Sequence, residues 1–264
     1  RTVGDIFTGS TWRRRDAAAA TSGSGRSSNS ARWYSAQRGQ CLANDAAAGV
    51  LIVLFAWGIA LTVSLASGWA EISEVLSSGK TAGVLSFEPA LAVFSVGFLF
   101  VGIWEEILFR GIVLKNAVEG FDGRWLSERS AVLLGLVFSS VLFGVVHADQ
   151  ATSTAALGFW VLMGLMLGGA YVMSGSLALP IGIHFATDLA FNNIYGLSNV
   201  RHEAAEVVAT VVRPEFTGPK IIVGVSGLVN TATAVLILIL TFGYVLLRYG
   251  SISSRLNRRV EIDR

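Results

Sequence analysis

The sequence predicts an all-α, polytopic integral membrane bundle of about six transmembrane helices. Three observations predict it. Of 264 residues, 53% are hydrophobic and only 14% are charged, and the mean hydropathy is +0.60; this composition belongs to membrane chains rather than soluble globules. The apolar residues gather at 46–65, 88–115, 130–147, 154–173, 177–195 and 220–247, each close to or above the roughly 20 residues that carry a helix across a bilayer core. Inside these runs lie a few ionisable residues, Glu105, Glu106, Arg110, His147 and His184, at depths where charge is kept only for a purpose.

Along the chain, residues 1–45 are rich in Ser, Ala, Gly and Arg, with Arg13, Arg14, Arg15, Arg26, Arg32 and Arg38 among them. Too few apolar side chains are present to bury a core, so a disordered basic tail is expected. Its composition resembles an organelle transit peptide and equally a cytoplasmic tail beside a first span. The chain starts at Arg1, which reads as a processed form or a fragment, and no cleavable signal is expected because the first apolar run is long enough to span. Residues 46–250 form the membrane domain. Trp57, Trp69, Trp104, Trp125 and Trp160 lie within or near its spans as candidate interfacial anchors. Gly164 and Gly168 give the small-xxx-small spacing of closely approaching helices. Residues 251–264 are expected to be a short, charged, frayed tail.

Lys and Arg placement sets orientation. The first 45 residues and the group Arg248, Arg255, Arg258 and Arg259 are both basic, so both termini are expected in the cytoplasm, in agreement with an even number of spans. The loop at 66–87 is then external and that at 116–129 internal, while 196–219 carries both signs and decides nothing. One feature fits this scheme badly: straight helices place Glu105 and His184 in the inner half of the bilayer and His147 near the outer end of its span, about 10 Å away. A tilted third helix, a second helix broken near Trp104, or a wet cavity would each reconcile them.

The formal charge of +2 and pI near 8.9 come from basic residues clustered at the two ends. Lipid headgroups are the expected partners there, and nucleic acid is not. Cys41 is the single cysteine, so the chain alone builds no internal disulfide, zinc ribbon or iron–sulfur cluster.

Glu106 and Arg110 are i and i+4, acid first, and neutralise one another on one helical face. Glu105 points about 100° away and is the candidate general base, since a carboxylate in a low-dielectric cavity suits proton abstraction from water. Phe143 and His147 share a face of the third span. His184 and Asp188 share a face of the fifth, continued one turn on by Asn192; such a pair can converge on one oxygen or ligate a metal. The alternative for all these residues is structural, as a folding clamp, an interfacial histidine and an internal hydrogen-bonded pair. No H-E-x-x-H occurs, and His202-Glu203-Ala204-Ala205-Glu206 lacks the second histidine and lies in a polar loop. His147, His184 and Glu105 would meet the ligand count of a catalytic zinc site, with Asp188 as the alternative carboxylate; a metal-free route in which glutamate and histidine polarise water is equally open.

Together, E-E-x-x-x-R (Glu105, Glu106, Arg110), F-x-x-x-H (Phe143, His147) and H-x-x-x-N/D (His184, Asp188) resemble the signature of the CPBP family of intramembrane proteases, named for CAAX proteases and bacteriocin-processing enzymes and also called the Abi family. The resemblance covers roughly 89–193. It implies a helical membrane core whose motifs meet in a cavity, and endopeptidase action on prenylated CAAX tails or related peptides. It also implies that Glu105 and His147 activate water, that His184 and Asp188 stabilise the oxyanion, and that Glu106 and Arg110 support the site. Family members are commonly described as metalloproteases. Asp188 stands where the prenyl-endopeptidase branch prefers asparagine; an aspartate there must be protonated, bind metal or orient His184, and Asn192 is a candidate replacement donor. The expected location is the cytoplasmic membrane of a prokaryote. Two further functions stay open: a non-catalytic bacteriocin-immunity or scaffold protein of the same fold, and a proton-coupled carrier, against which stands the lack of duplicated halves.

Overall fold

The computed structural model describes residues 28–78, 85–121, 126–151, 153–197, 209–224 and 226–249, with side chains from Cys41 onward. The charged tail at 251–264, the first 27 residues and the His202-Glu203 segment lie outside the described residues. Its helices are α1 (Ser28–Ala66), α2 (Phe87–Glu106), α3 (Lys115–Phe121), α4 (Glu128–Val146), α5 (Thr154–Ser174), α6 (Ala178–Leu189), α7 (Lys220–Val223) and α8 (Leu228–Tyr249). Two wide π-helical segments follow α2 and α6, at Ile107–Leu114 and Ala190–Ile194. Helix α1 starts at Ser28, so residues 28–45 are helical rather than part of a disordered tail.

Local chemistry sets several boundaries. The Ser127 and Ser153 hydroxyls accept from the backbone N–H of Ser130 and Ala156, capping α4 and α5. Helix α5 stops at Gly175, whose φ of +68° is a left-handed conformation that costs glycine little. Glycines also set how closely helices approach. A Cβ on Gly164 would lie 2.8 Å from the Ser140 Cα, and one on Gly182 would lie 2.2 Å from the Ala46 carbonyl oxygen, so α5 meets α4, and α6 meets α1, backbone to backbone. Gly168 faces the Leu136 side chain, and the Gly164/Gly168 spacing thus serves the close contact expected of it.

Five helical stretches are long and apolar enough to cross a membrane: Cys41–Ala66, Phe87–Phe121, Glu128–Val146, Thr154–Ser174 and Lys220–Tyr249. The remaining expected span, at 177–195, is α6 and its π continuation, 12 and 5 residues long and about 26 Å in extent at helical rise. The strands argue that it crosses too. β1 (Ala70–Ser77) follows α1, β2 (Thr210–Phe216) follows α6, and the two pair antiparallel with Ala70 opposite Phe216 and Ser77 opposite Thr210. Both loops must therefore lie on one face of the membrane. Since α2, α4, α5 and α6 separate them, that requires an even number of crossings, and α6 supplies the fourth. The pair adds a small sheet to a fold expected to be all helical. At its edge the Ser77 hydroxyl and the Arg213 guanidinium, 2.5 and 3.1 Å from Glu74, hold the Glu74 carboxyl below its usual pKa.

The depth conflict at His147 also resolves. The second helical run continues to Phe121 instead of ending at Lys115, which puts Glu105 midway along it, about 24 Å from the following loop. His147 caps α4, about 28 Å from that loop. The two levels match without a break in the second helix.

Candidate active site

Three helices converge on the Glu105–Glu106 pair. Both carboxylates are buried, Glu106 completely, at the last positions of α2, where the wide turn begins. π-Bulges recur at functional sites, and this one carries Phe109, Arg110 and Gly111 inward together. Arg110 Nη1 donates to Glu106 Oε1 at 2.8 Å and Nη2 donates to the Gly164 carbonyl at 3.1 Å. The guanidinium lies 4.7 Å from the centre of the Phe143 ring, a cation–π contact in a dry setting.

His184 Nδ1 lies 2.7 Å from the same Glu106 Oε1. A carboxylate only accepts, so Nδ1 carries the proton and Nε2 is turned toward Glu105 and Asp188, 3.8 Å from Glu105 Oε2 and 3.6 Å from Asp188 Oδ2. His147 is fixed by the same logic. Its Nδ1 donates to the Phe143 carbonyl at 2.7 Å, its ring is held between Phe143 and Trp160 at 4.4 and 4.6 Å, and its Nε2 stands 3.9 Å from Glu105 Oε2. Glu105 Oε2 is itself buried with no hydrogen-bond partner among the described residues. Two imidazole nitrogens thus face one carboxylate oxygen across gaps too long for direct hydrogen bonds.

A narrow cleft of about 50 Å³ opens beside this cluster, lined by Trp57, Phe143, Trp160, His184, Asp188 and Asn192 among others. Its walls are mainly apolar and aromatic, as suits a peptide or lipid-like ligand.

Residues 87–190 match the family model described as type II CAAX prenyl endopeptidase Rce1-like. Residues 87–190 are similar to that family. No curated protein and no solved structure matches the chain. The matched segment holds all three motifs, and the chain is an integral membrane protein.

Within residues 87–190 the structure gathers Glu105, Glu106, Arg110, Phe143, His147, His184 and Asp188. Asn192 lines the cleft, and its amide donates to the Asp188 backbone carbonyl at 2.8 Å. Glu106, expected to serve Arg110, also orients His184, one of the three tasks left open for Asp188. The stacking of Trp160 on His147 had no counterpart in the motifs. For a metal, the chemistry of the donors is suitable, since both rings have Nδ1 engaged and Nε2 turned inward. Their spacing is not: ligands on a zinc ion at about 2.0–2.2 Å lie about 3.4 Å apart in a tetrahedron, and among the described residues no three His, Cys, Asp or Glu side chains are placed to hold one.

Proposed function

We propose that this chain is an intramembrane endopeptidase in which Glu105 and His147 activate a water molecule and His184, with Asp188 beside it, stabilises the oxyanion. The observation that carries this reading is the convergence of both Nε2 atoms on the unpartnered Glu105 Oε2, at 3.9 and 3.8 Å. Glu105 takes one proton of the water as the water oxygen bonds to the scissile carbonyl carbon. The other hydrogen is directed at His147 Nε2, which carries the ring's lone pair because Nδ1–H donates to Phe143. His184, with protons on both nitrogens, points Nε2–H at the developing oxyanion while Glu106 holds Nδ1. When the C–N bond breaks, its electron pair goes to the amine nitrogen, which takes the proton from Glu105, so that Glu105 is ionised again and a carboxylic acid and a free amine are released. The buried ion pair of Arg110 with Glu106 fixes the frame.

The substrate in this reading is a peptide or prenylated protein that reaches the cleft through the membrane. The chain resides in the cytoplasmic membrane of a prokaryote, with both termini in the cytoplasm. The test is Glu105→Gln in liposomes holding a membrane-anchored reporter peptide. Turnover falls about 10²- to 10⁴-fold with the thermal midpoint unchanged, and turnover at the wild-type rate ends the base assignment. A chelator arm decides whether His147, His184 and Glu105 serve a zinc ion. Undiminished activity supports the route above, whereas loss reversed by added zinc makes Glu105 a ligand.

A further inference from the structure

We infer that Trp57 is a substrate-binding residue whose indole N–H donates to a backbone carbonyl of the peptide held in the cleft; this rests on the endopeptidase reading. Trp57 belongs to α1, outside residues 87–190. Helix α1 packs closely on α6, the helix of His184, with Gly49 and Gly182 at backbone contact. That brings the Trp57 ring to the wall of the cleft shared with His184 and Asp188.

The ring is 1% exposed and is fixed by an edge-on contact with Phe191, centroids 5.2 Å apart. Its Nε1–H is buried with no hydrogen-bond partner among the described residues. A buried orphan donor is costly, and buried tryptophans ordinarily find an acceptor. A purely apolar wall would be served by phenylalanine, which carries no such donor. An extended peptide bound with its scissile carbonyl near His184 presents carbonyl oxygens every few ångströms along its backbone, and one of them supplies the acceptor that the described residues do not offer.

The experiment measures steady-state cleavage of one reporter peptide by wild type and Trp57→Phe, and binding of that peptide in a Glu105→Gln background. Trp57→Phe keeps an aromatic ring against Phe191 and removes the N–H. We expect peptide affinity and kcat/KM to fall together by about three- to ten-fold, the range of one neutral hydrogen bond, with kcat nearly unchanged. A second protein carries 3-benzothienylalanine at position 57, which retains the bicyclic shape with sulfur in place of N–H. It gives the same loss and remains informative if Trp57→Phe fails to fold. Binding and kcat/KM within two-fold of wild type in the benzothienyl protein overturn the inference, as does a loss confined to kcat. Cleavage unaffected by Glu105→Gln overturns the endopeptidase mechanism, whatever the Trp57 variants do.

Discussion

The Glu106–Arg110 pair is the sharpest test of how the site is held together. Glu106 is fully buried and Arg110 is 1% exposed. Removing one partner of such a pair leaves an uncompensated charge, a loss of about 3–5 kcal/mol. Glu106→Gln should fall in this range, since Arg110 keeps only its bond to the Gly164 carbonyl and its seat over Phe143. Arg110→Met should cost less, about 2–4 kcal/mol, because the buried Glu106 carboxylate left behind retains the His184 Nδ1–H donor. The double variant removes both charges, so its loss should be smaller than the sum of the singles by about 2–3 kcal/mol. Reversible unfolding by dodecyl sulfate in mixed micelles, followed by helical circular dichroism, measures all three. Losses that add to within about 0.5 kcal/mol, or a Glu106→Gln protein as stable as wild type, would refute the coupling.

Gly164→Ala should destabilise by about 1–3 kcal/mol through overpacking, because the new methyl would meet the Ser140 backbone, and activity should drop as the carbonyl serving Arg110 shifts; Gly158→Ala, with open space around it, is the control and should be neutral or stabilising in the same unfolding assay. Cys41, the sole cysteine and exposed, should react with a membrane-impermeant maleimide only after cells are permeabilised; labelling in intact cells would reverse the orientation of the bundle.

Much of the site was readable because its chemistry is written in spacing. The four-residue intervals of Glu106–Arg110, Phe143–His147 and His184–Asp188 each place two side chains on one helical face, and all three pairs do meet in the core. What sequence could not supply was the pairing between helices. Nothing local distinguishes Asp188 from Glu106 as the partner of His184 Nδ1, because the choice depends on how α2 and α6 cross. The π segments were hidden for a similar reason: Ile107–Leu114 is as apolar as the helix it extends, and only the fixed level of Glu105 against His147 shows that the run must go on to Phe121. The strands left a fainter trace. Alternation of apolar and polar residues through Ala70-Glu71-Ile72-Ser73 and the β-branched Thr210-Val211-Val212 suit a pleated pair, yet neither strand is stable alone, and the partner lies far off in the chain.

That distance has a consequence for biogenesis. Ala70 emerges early in synthesis and Phe216 late, so the sheet closes only after the intervening crossings have been inserted, at a high cost in loop closure. His184 and Asp188 also arrive in the second half of the chain. A nascent protein therefore holds Glu105 in the membrane with neither its second histidine nor the strand clasp in place. In this order of assembly the candidate site is completed at the same stage as the strand pair that ties α1 to the later helices.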